Sequence, residues 1–424
     1  MQFRDRNPTS LDAHQAACES MPGGNTRTVI WHEPFPLRIA SASGAIMTDA
    51  DGHDYVDFLG EYTAGLFGHS HPDIQAATSQ AMQGGISLGA HNQYEYRFAQ
   101  LLCQRFPVLQ RLRFTNSGTE ANMMAISASR VFTGRDKVMV FRGGYHGGVF
   151  YFGLKESPLN APFPWIIAEY NDMAATREMM AEHGQSIACV IVEPMQGSAG
   201  CIPAQPEFLQ ALRELCTQYG SLLIFDEVMT SRLGAGGASE WYGVKPDVIT
   251  LGKYLGGGHS FGAFGGSVDF MARFDPSRPD ALMHAGTFQN NVLTMATGIQ
   301  VLEKIFTTER ADAHMQLGEL FRDRLNRLFD RDAIPVRLTG LGSLMNLHPT
   351  TDNISSVHDL AGLNDDARAY LYFRLLEEGF YIARRGFIAL SLVLEPAHLD
   401  GLEQGLMKVG RELKALMETP VVHH

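Results

Sequence analysis

Through the middle of the chain, short runs of β-branched and other apolar residues alternate with longer amphipathic stretches, the pattern of an α/β protein whose parallel strands are joined by covering helices. The apolar runs predict strands over 137–141, 187–192, 221–225 and 248–251. Between them, 119–131 and 206–219 carry apolar positions at helical spacing and are long enough for right-handed crossovers. Such a sheet gathers the loops that leave its strands along one edge, where open α/β sheets bind their ligands.

On either side of this region the texture changes. Before about Gly68 there are short strands such as 37–43 and turn signals such as Asp51-Gly52, which read as satellite structure. From Glu303 a long helical pattern runs to Asp330, followed by short strands near Leu338 and Leu344, a helix over 367–378 and a last helix over 398–417, a set that suits a separate α+β unit. The expected division is 1–68 as the N-terminal part of a small domain, 69–303 as a large domain, and 304–424 as the rest of the small domain. At 424 residues the chain is too long for one compact core, so a cleft between two units is expected.

Composition narrows the function without naming it. Hydrophobic residues at 45% and charged residues at 19% describe an ordinary globular chain. A net charge of -12 argues against nucleic acid as a partner, since phosphate binding normally shows a basic face. The five cysteines form no CxxC pair, and their odd number suits a reducing compartment. The polar start Met1 to Arg6 lacks the core of a secretory signal, and no apolar run approaches the ~20 residues that cross a bilayer. A cytoplasmic protein without membrane contact is the expectation. His69 and His71 lack a third ligand at metal-like spacing, so no metal is expected.

The chemistry begins at Phe225-Asp226-Glu227-Val228, where an apolar strand runs into two carboxylates. Alone, Asp226 reads better as a helix cap after a buried strand than as a functional acid. A second strand, Ile249-Thr250-Leu251-Gly252, ends in Lys253 and is followed by Gly256-Gly257-Gly258. A lysine amine can form an imine with an aldehyde cofactor, and an aspartate paired with a protonated pyridine nitrogen keeps the ring able to accept electrons. Asn116-Ser117-Gly118-Thr119-Glu120-Ala121 leads into the first helix, where free amides and hydroxyls form a phosphate cradle, although Ser117 and Glu120 also read as a capping box. In Gly143-Gly144-Tyr145-His146-Gly147, Tyr145 is placed either to stack on a flat ring or to pack in the core, and His146 reads as structural.

In this order, Ser-Gly-Thr-Glu-Ala at 117–121, Gly-Tyr-His-Gly at 144–147, Glu193-Pro194, Asp226-Glu227-Val228, Lys253 and Gly286-Thr287-Phe288 make the chain resemble the class-III aminotransferases over nearly its whole length. The resemblance is greatest to the branch holding the β-phenylalanine and other β-amino-acid aminotransferases and glutamate-1-semialdehyde aminomutase. It implies the fold-type-I architecture of pyridoxal-5'-phosphate enzymes: a mostly parallel sheet with helices on both faces, and a smaller α+β domain formed from both termini. It implies Lys253 as the Schiff-base lysine and proton shuttle, and Asp226 as the partner of the pyridine nitrogen. Ser117, Gly118 and Thr119 would hold the phosphate, with Thr287 reaching over from a second subunit of a homodimer. Tyr145 would cover one ring face and Val228 the other.

Two reactions share that lysine and aspartate: amino transfer between an amine and a keto acid, and the internal amino shift of the aminomutase. A non-catalytic binding protein on the same fold would have no need of both residues. Transfer to 2-oxoglutarate or pyruvate by a ping-pong course requires carboxylate recognition, for which arginine's bidentate fork is suited. The β-phenylalanine branch implies Arg27, after Gly23-Gly24-Asn25-Thr26, and one of Arg384 or Arg385, with Arg384 preferred; surface placement of all three is the competing reading.

Overall fold

Ile187–Val192 is buried at all six of its positions, as expected of a strand inside a sheet covered on both faces. In the computed structural model, which describes residues 3–418, it belongs to a seven-stranded sheet made of β1 (Arg111–Thr115), β2 (Lys137–Phe141), β3 (Trp165–Ala168), β4 (Ile187–Val192), β5 (Leu222–Asp226), β6 (Val248–Gly252) and β7 (Gly262–Gly266). The spatial order is β1-β7-β6-β5-β4-β2-β3. Neighbours from β6 to β3 pair in parallel, and β7 alone runs against both β6 and β1.

Period-2 alternation distributes the side chains between two cores. Val190 and Val192 join Phe225, Ile249 and Leu251 on one face, beneath Phe208, Leu209 and Leu212 of α2 (Pro206–Tyr219). Cys189 and Ile191 join Ile224 and Val248 on the other, beneath Ala121, Ala125 and Ile126 of α1 (Gly118–Thr133). The four expected strands and two expected helices all form, with ends shifted by two residues at most. Patterning gives no sign of β7, whose residues are Gly262, Ala263, Phe264, Gly265 and Gly266. Its glycines answer to close packing: a Cβ on Gly262 would stand 2.2 Å from the Ser117 carbonyl oxygen.

The chain's two ends share a second body. Ile39–Ser43, Ile46–Asp49 and Asp54–Asp57 form an antiparallel sheet that Phe380–Tyr381 joins beside Asp54–Asp57. Arg337–Leu341, Leu344–His348 and Phe387–Ala389 make another. Thr308–Asp332, Asp365–Glu377 and Pro396–Glu418 are its principal helices. Tyr55 and Phe58 from the N-terminal segment pack with Phe321, Leu325, Leu375 and Leu402 in one core. Among the described residues no helix is long and apolar enough to cross a membrane.

Candidate active site

β1, β2, β4, β5 and β6 all point their carboxyl ends to one edge, and the chemistry-bearing residues stand there. Asp226 closes β5 in register with Thr250 of β6. It is almost fully buried and held from several sides: Asn122 donates to Oδ2 at 2.7 Å, the His146 Nδ1 lies 2.8 Å from the same oxygen, and the Val228 amide donates to Oδ1 at 3.0 Å. Asn122 also donates to the His146 carbonyl at 2.9 Å and accepts from the Thr250 hydroxyl at 2.6 Å. Lys253 follows Gly252 directly with a φ of +54°, a left-handed conformation that a non-glycine residue adopts at a cost of about 1 kcal/mol. Burial pushes its amine below the ordinary lysine value; the negative charges of Asp226 and Glu61 oppose that, and the positive charges of Arg27 and Arg385 add to it.

The second part of the site is the start of α1. Ser117 caps the helix by accepting from the Glu120 amide at 3.2 Å, and its carbonyl accepts from Ala121. The amides of Gly118 and Thr119 precede the first intrahelical bond and point outward, a ready anion cradle. The fit around them leaves no room for side chains, since a Cβ on Gly118 would lie 2.7 Å from Val228 Cγ2 and one on Gly147 would lie 2.2 Å from Thr119 Oγ1. Glu193, just past β4, accepts from the Tyr145 amide at 2.8 Å and the Gly197 amide at 3.1 Å, and so fixes the turn that carries Tyr145. Burial raises the Glu193 carboxyl to about 7.

Two guanidiniums lie over the Tyr62 ring, Arg27 at 5.7 Å and Arg385 at 5.2 Å from its centre. Arg27 is paired with Glu61. Arg384, the arginine preferred from the sequence, has its Nη1 and Nη2 bonded to the Asp365 carboxylate at 2.9 and 2.6 Å. Its neighbour Arg385 instead faces Tyr62, Phe387 and the Ser198 hydroxyl. Thr287 stands apart from these groups on an exposed turn of the single chain.

Asn122 and Thr250 escape a reading of motifs because neither belongs to one. The signal for Asn122 is a polar residue amid Ala121, Ala125 and Ile126 on a buried helix face, where an unpaired amide would be costly. A buried amine whose pKa burial lowers, a carboxylate ringed by donors, a cradle of free amides and glycines that admit close approach together fit a flat, anionic, aldehyde-bearing group such as pyridoxal phosphate.

Comparison with known proteins agrees with that chemistry. The family model for aminotransferase class-III matches residues 29–406. The beta-phenylalanine transaminase of Variovorax paradoxus is 53% identical over 398 residues, covering 94% of this chain and 92% of that one. A crystal structure of a beta-phenylalanine aminotransferase from Variovorax paradoxus superposes with a TM-score of 0.96 at 51% identity, over 98% of this chain and 96% of that one. A transaminase with PLP bound superposes with a TM-score of 0.89 at 31% identity, over 97% and 99%.

Proposed function

Since the chain belongs to the class-III aminotransferases, and is therefore a pyridoxal-phosphate-dependent transaminase, we propose that its amino donor is an aromatic β-amino acid and its acceptor 2-oxoglutarate or pyruvate. The observation that carries the substrate class is the pair of guanidiniums over Tyr62, both within electrostatic reach of Lys253. A β-amino acid holds its carboxylate one carbon farther from the reacting centre than an α-amino acid does, so the receptor must stand back from the lysine. The names of the relatives support the same substrate.

In this reading Ser117, Gly118 and Thr119 hold the cofactor phosphate, Asp226 faces the ring nitrogen, Tyr145 and Val228 cover the two ring faces, and Lys253 holds the aldehyde. Pyridoxal phosphate, when bound, supplies an electron-accepting ring that makes the hydrogen beside the substrate amine acidic. Lys253 is the base: burial shifts its amine toward the neutral form, which can lift that proton and return it to the opposite side of the transferred nitrogen. Asn122 and His146 keep the Asp226 carboxylate oriented against the ring. Arg385 holds the substrate carboxylate, and the second half of the cycle runs the same proton movements in reverse on the acceptor.

The working unit is read as a homodimer with Thr287 lent to the partner's phosphate cradle. Two adjoining segments, tied by the Asn92 side chain donating to the Asn290 carbonyl at 2.8 Å, leave Ile86, Leu88, Met283 and Phe288 exposed, with Met283 at 92%; an apolar surface of that kind marks an interface. All five cysteines are free thiols, which supports a cytoplasmic setting. The test is incubation of the cofactor-loaded enzyme with aromatic β-amino acids, α-amino acids and ω-amines against both acceptors. Conversion of 2-oxoglutarate to glutamate or of pyruvate to alanine with the β-amino acid as amino donor is expected, and turnover of the other donors alone would refute the assignment.

A further inference from the structure

Thr287 occupies the second position of a four-residue turn, Gly286 to Gln289, closed by the Gln289 amide donating to the Gly286 carbonyl at 3.3 Å. The turn is exposed, yet it is tied down from within. The Gln289 side chain folds back over it: its Nε2 donates to the Ala285 carbonyl at 3.4 Å and lies 3.0 Å from the His284 Nε2. A Cβ on Gly286 would stand 2.5 Å from the Gln289 Cδ, so a side chain there would displace the amide. The flanks are held as well. The Leu282 amide donates to the Arg273 carbonyl at 2.6 Å, the Asn290 side chain donates to the Ala90 carbonyl at 3.2 Å, and the Asn291 side chain caps the helix Val292–Gln300.

His284 is the joint between this turn and the core. Its ring lies edge-on to Phe264 and Phe274, with centres 5.6 and 6.1 Å apart. Both phenylalanines are buried, in the same core that packs Ala121 and Ala125 of α1. Burial lowers the His284 pKa, the Arg113 charge adds to that, and Glu120 opposes it. A neutral imidazole keeps one ring nitrogen free to accept, which suits the Gln289 amide facing it.

We propose that His284 and Gln289 are positioning residues that act on the other subunit's cofactor: they hold the turn in the shape that presents Thr287 to the partner's phosphate cradle. The inference rests on the homodimer reading in which Thr287 is lent across. Its physical reason is the cost of ordering. A turn that had to be fixed on association would forfeit part of the affinity of its phosphate contact, whereas one already bonded to itself and docked on a core does not. That core also carries α1, whose first amides are the chain's own cradle. The residue a subunit lends and the cradle it keeps therefore share one base.

The test uses hybrid dimers, made by co-expressing two separately tagged chains of which one carries Lys253→Ala, so that visible absorbance of the lysine-cofactor bond reports a single site. Loaded hybrids are diluted into excess pyridoxine phosphate, which lacks the aldehyde and fills emptied sites, and the decay of absorbance gives the rate of cofactor release. With His284→Ala placed in the Lys253→Ala chain, the reporting site receives an altered turn from its partner, and release should quicken roughly fivefold, the cost of ordering about one side chain. With His284→Ala placed in the chain that keeps Lys253, release should match the hybrid without it. No change in the first arrangement, or equal change in both, would overturn the proposal. Should His284→Ala disturb folding, Gln289→Leu removes the same bond and should give the same pattern. Thr287→Ala is run in both arrangements as the control. If it has no effect across the dimer, the homodimer reading fails and this proposal with it; if it acts across while His284→Ala and Gln289→Leu do not, the proposal alone falls.

Discussion

Replacing Asn122 by alanine strips the carboxylate at the end of β5 of one of its donors while leaving every motif residue in place. Three hydrogen bonds are lost: to Asp226 Oδ2 at 2.7 Å, to the His146 carbonyl at 2.9 Å, and from the Thr250 hydroxyl at 2.6 Å. A bond to a charged acceptor contributes about 2 kcal/mol and a neutral one about 1 kcal/mol, so the upper bound on lost stability is about 4 kcal/mol. The loss in cofactor affinity should be smaller, because His146 and the Val228 amide still hold Asp226. About 1.4 to 2 kcal/mol, or roughly 10- to 30-fold in Kd, is the expected share. The assay is a titration of the cofactor-free protein with pyridoxal phosphate, followed by fluorescence quenching, alongside urea unfolding with and without cofactor. Asn122→Asp sharpens it: a second carboxylate 2.7 Å from the first adds like-charge repulsion and should weaken binding beyond the alanine variant. If both variants bind the cofactor like the parent, Asn122 does not position Asp226 and the reasoning fails.

Lys253→Ala should lower turnover by about three orders of magnitude, as loss of a positioned base commonly does, and should abolish the visible absorbance of the lysine-cofactor bond; unchanged colour and rate would remove Lys253 from the chemistry. Arg385→Lys should raise the donor KM about 10-fold by breaking a two-pronged contact, while Arg384→Lys, which alters a pair with Asp365, should change it little; the reverse order would restore Arg384 as the receptor. Burial raises both Glu193 and Glu227 to about 7, above their ordinary 4.5. In each, the folded state holds a proton that the unfolded chain has released between those values, so stability falls as pH rises through that window, by on the order of 3 kcal/mol per group. Urea midpoints of the cofactor-free protein at about pH 5 and pH 8 should show the decline, and Glu227→Gln should flatten it; a midpoint that climbs with pH would refute the assignment.

Residues whose role follows from a position along one strand are legible in the sequence. Asp226 and Lys253 end apolar runs, so patterning alone puts them at the carboxyl edge, and the proposed phosphate cradle lies where a polar turn meets a helical period. β7 is not legible in this way, because a strand of three glycines has no alternation to read; its composition is fixed by what presses against it, the Ser117 carbonyl beside Gly262 and the Arg111 carbonyl beside Gly265.

The arginines show where such reading ends. Arg384 and Arg385 are adjacent and chemically identical, yet they meet different partners, one Asp365 at the start of its helix and the other Tyr62. Which of them meets substrate depends on how the loop after Phe380–Tyr381 sits against a left-handed turn more than 300 residues earlier, a relation that no local pattern encodes. The same holds for the pairing of Glu61 with Arg27. On the proposed assignment, the catalytic groups can be read from strand ends, whereas the choice of substrate rests on contacts between the chain's two termini and the sheet edge. Substrate range can therefore shift through changes in the turn and its arginines while Lys253, Asp226 and the cradle stay as they are.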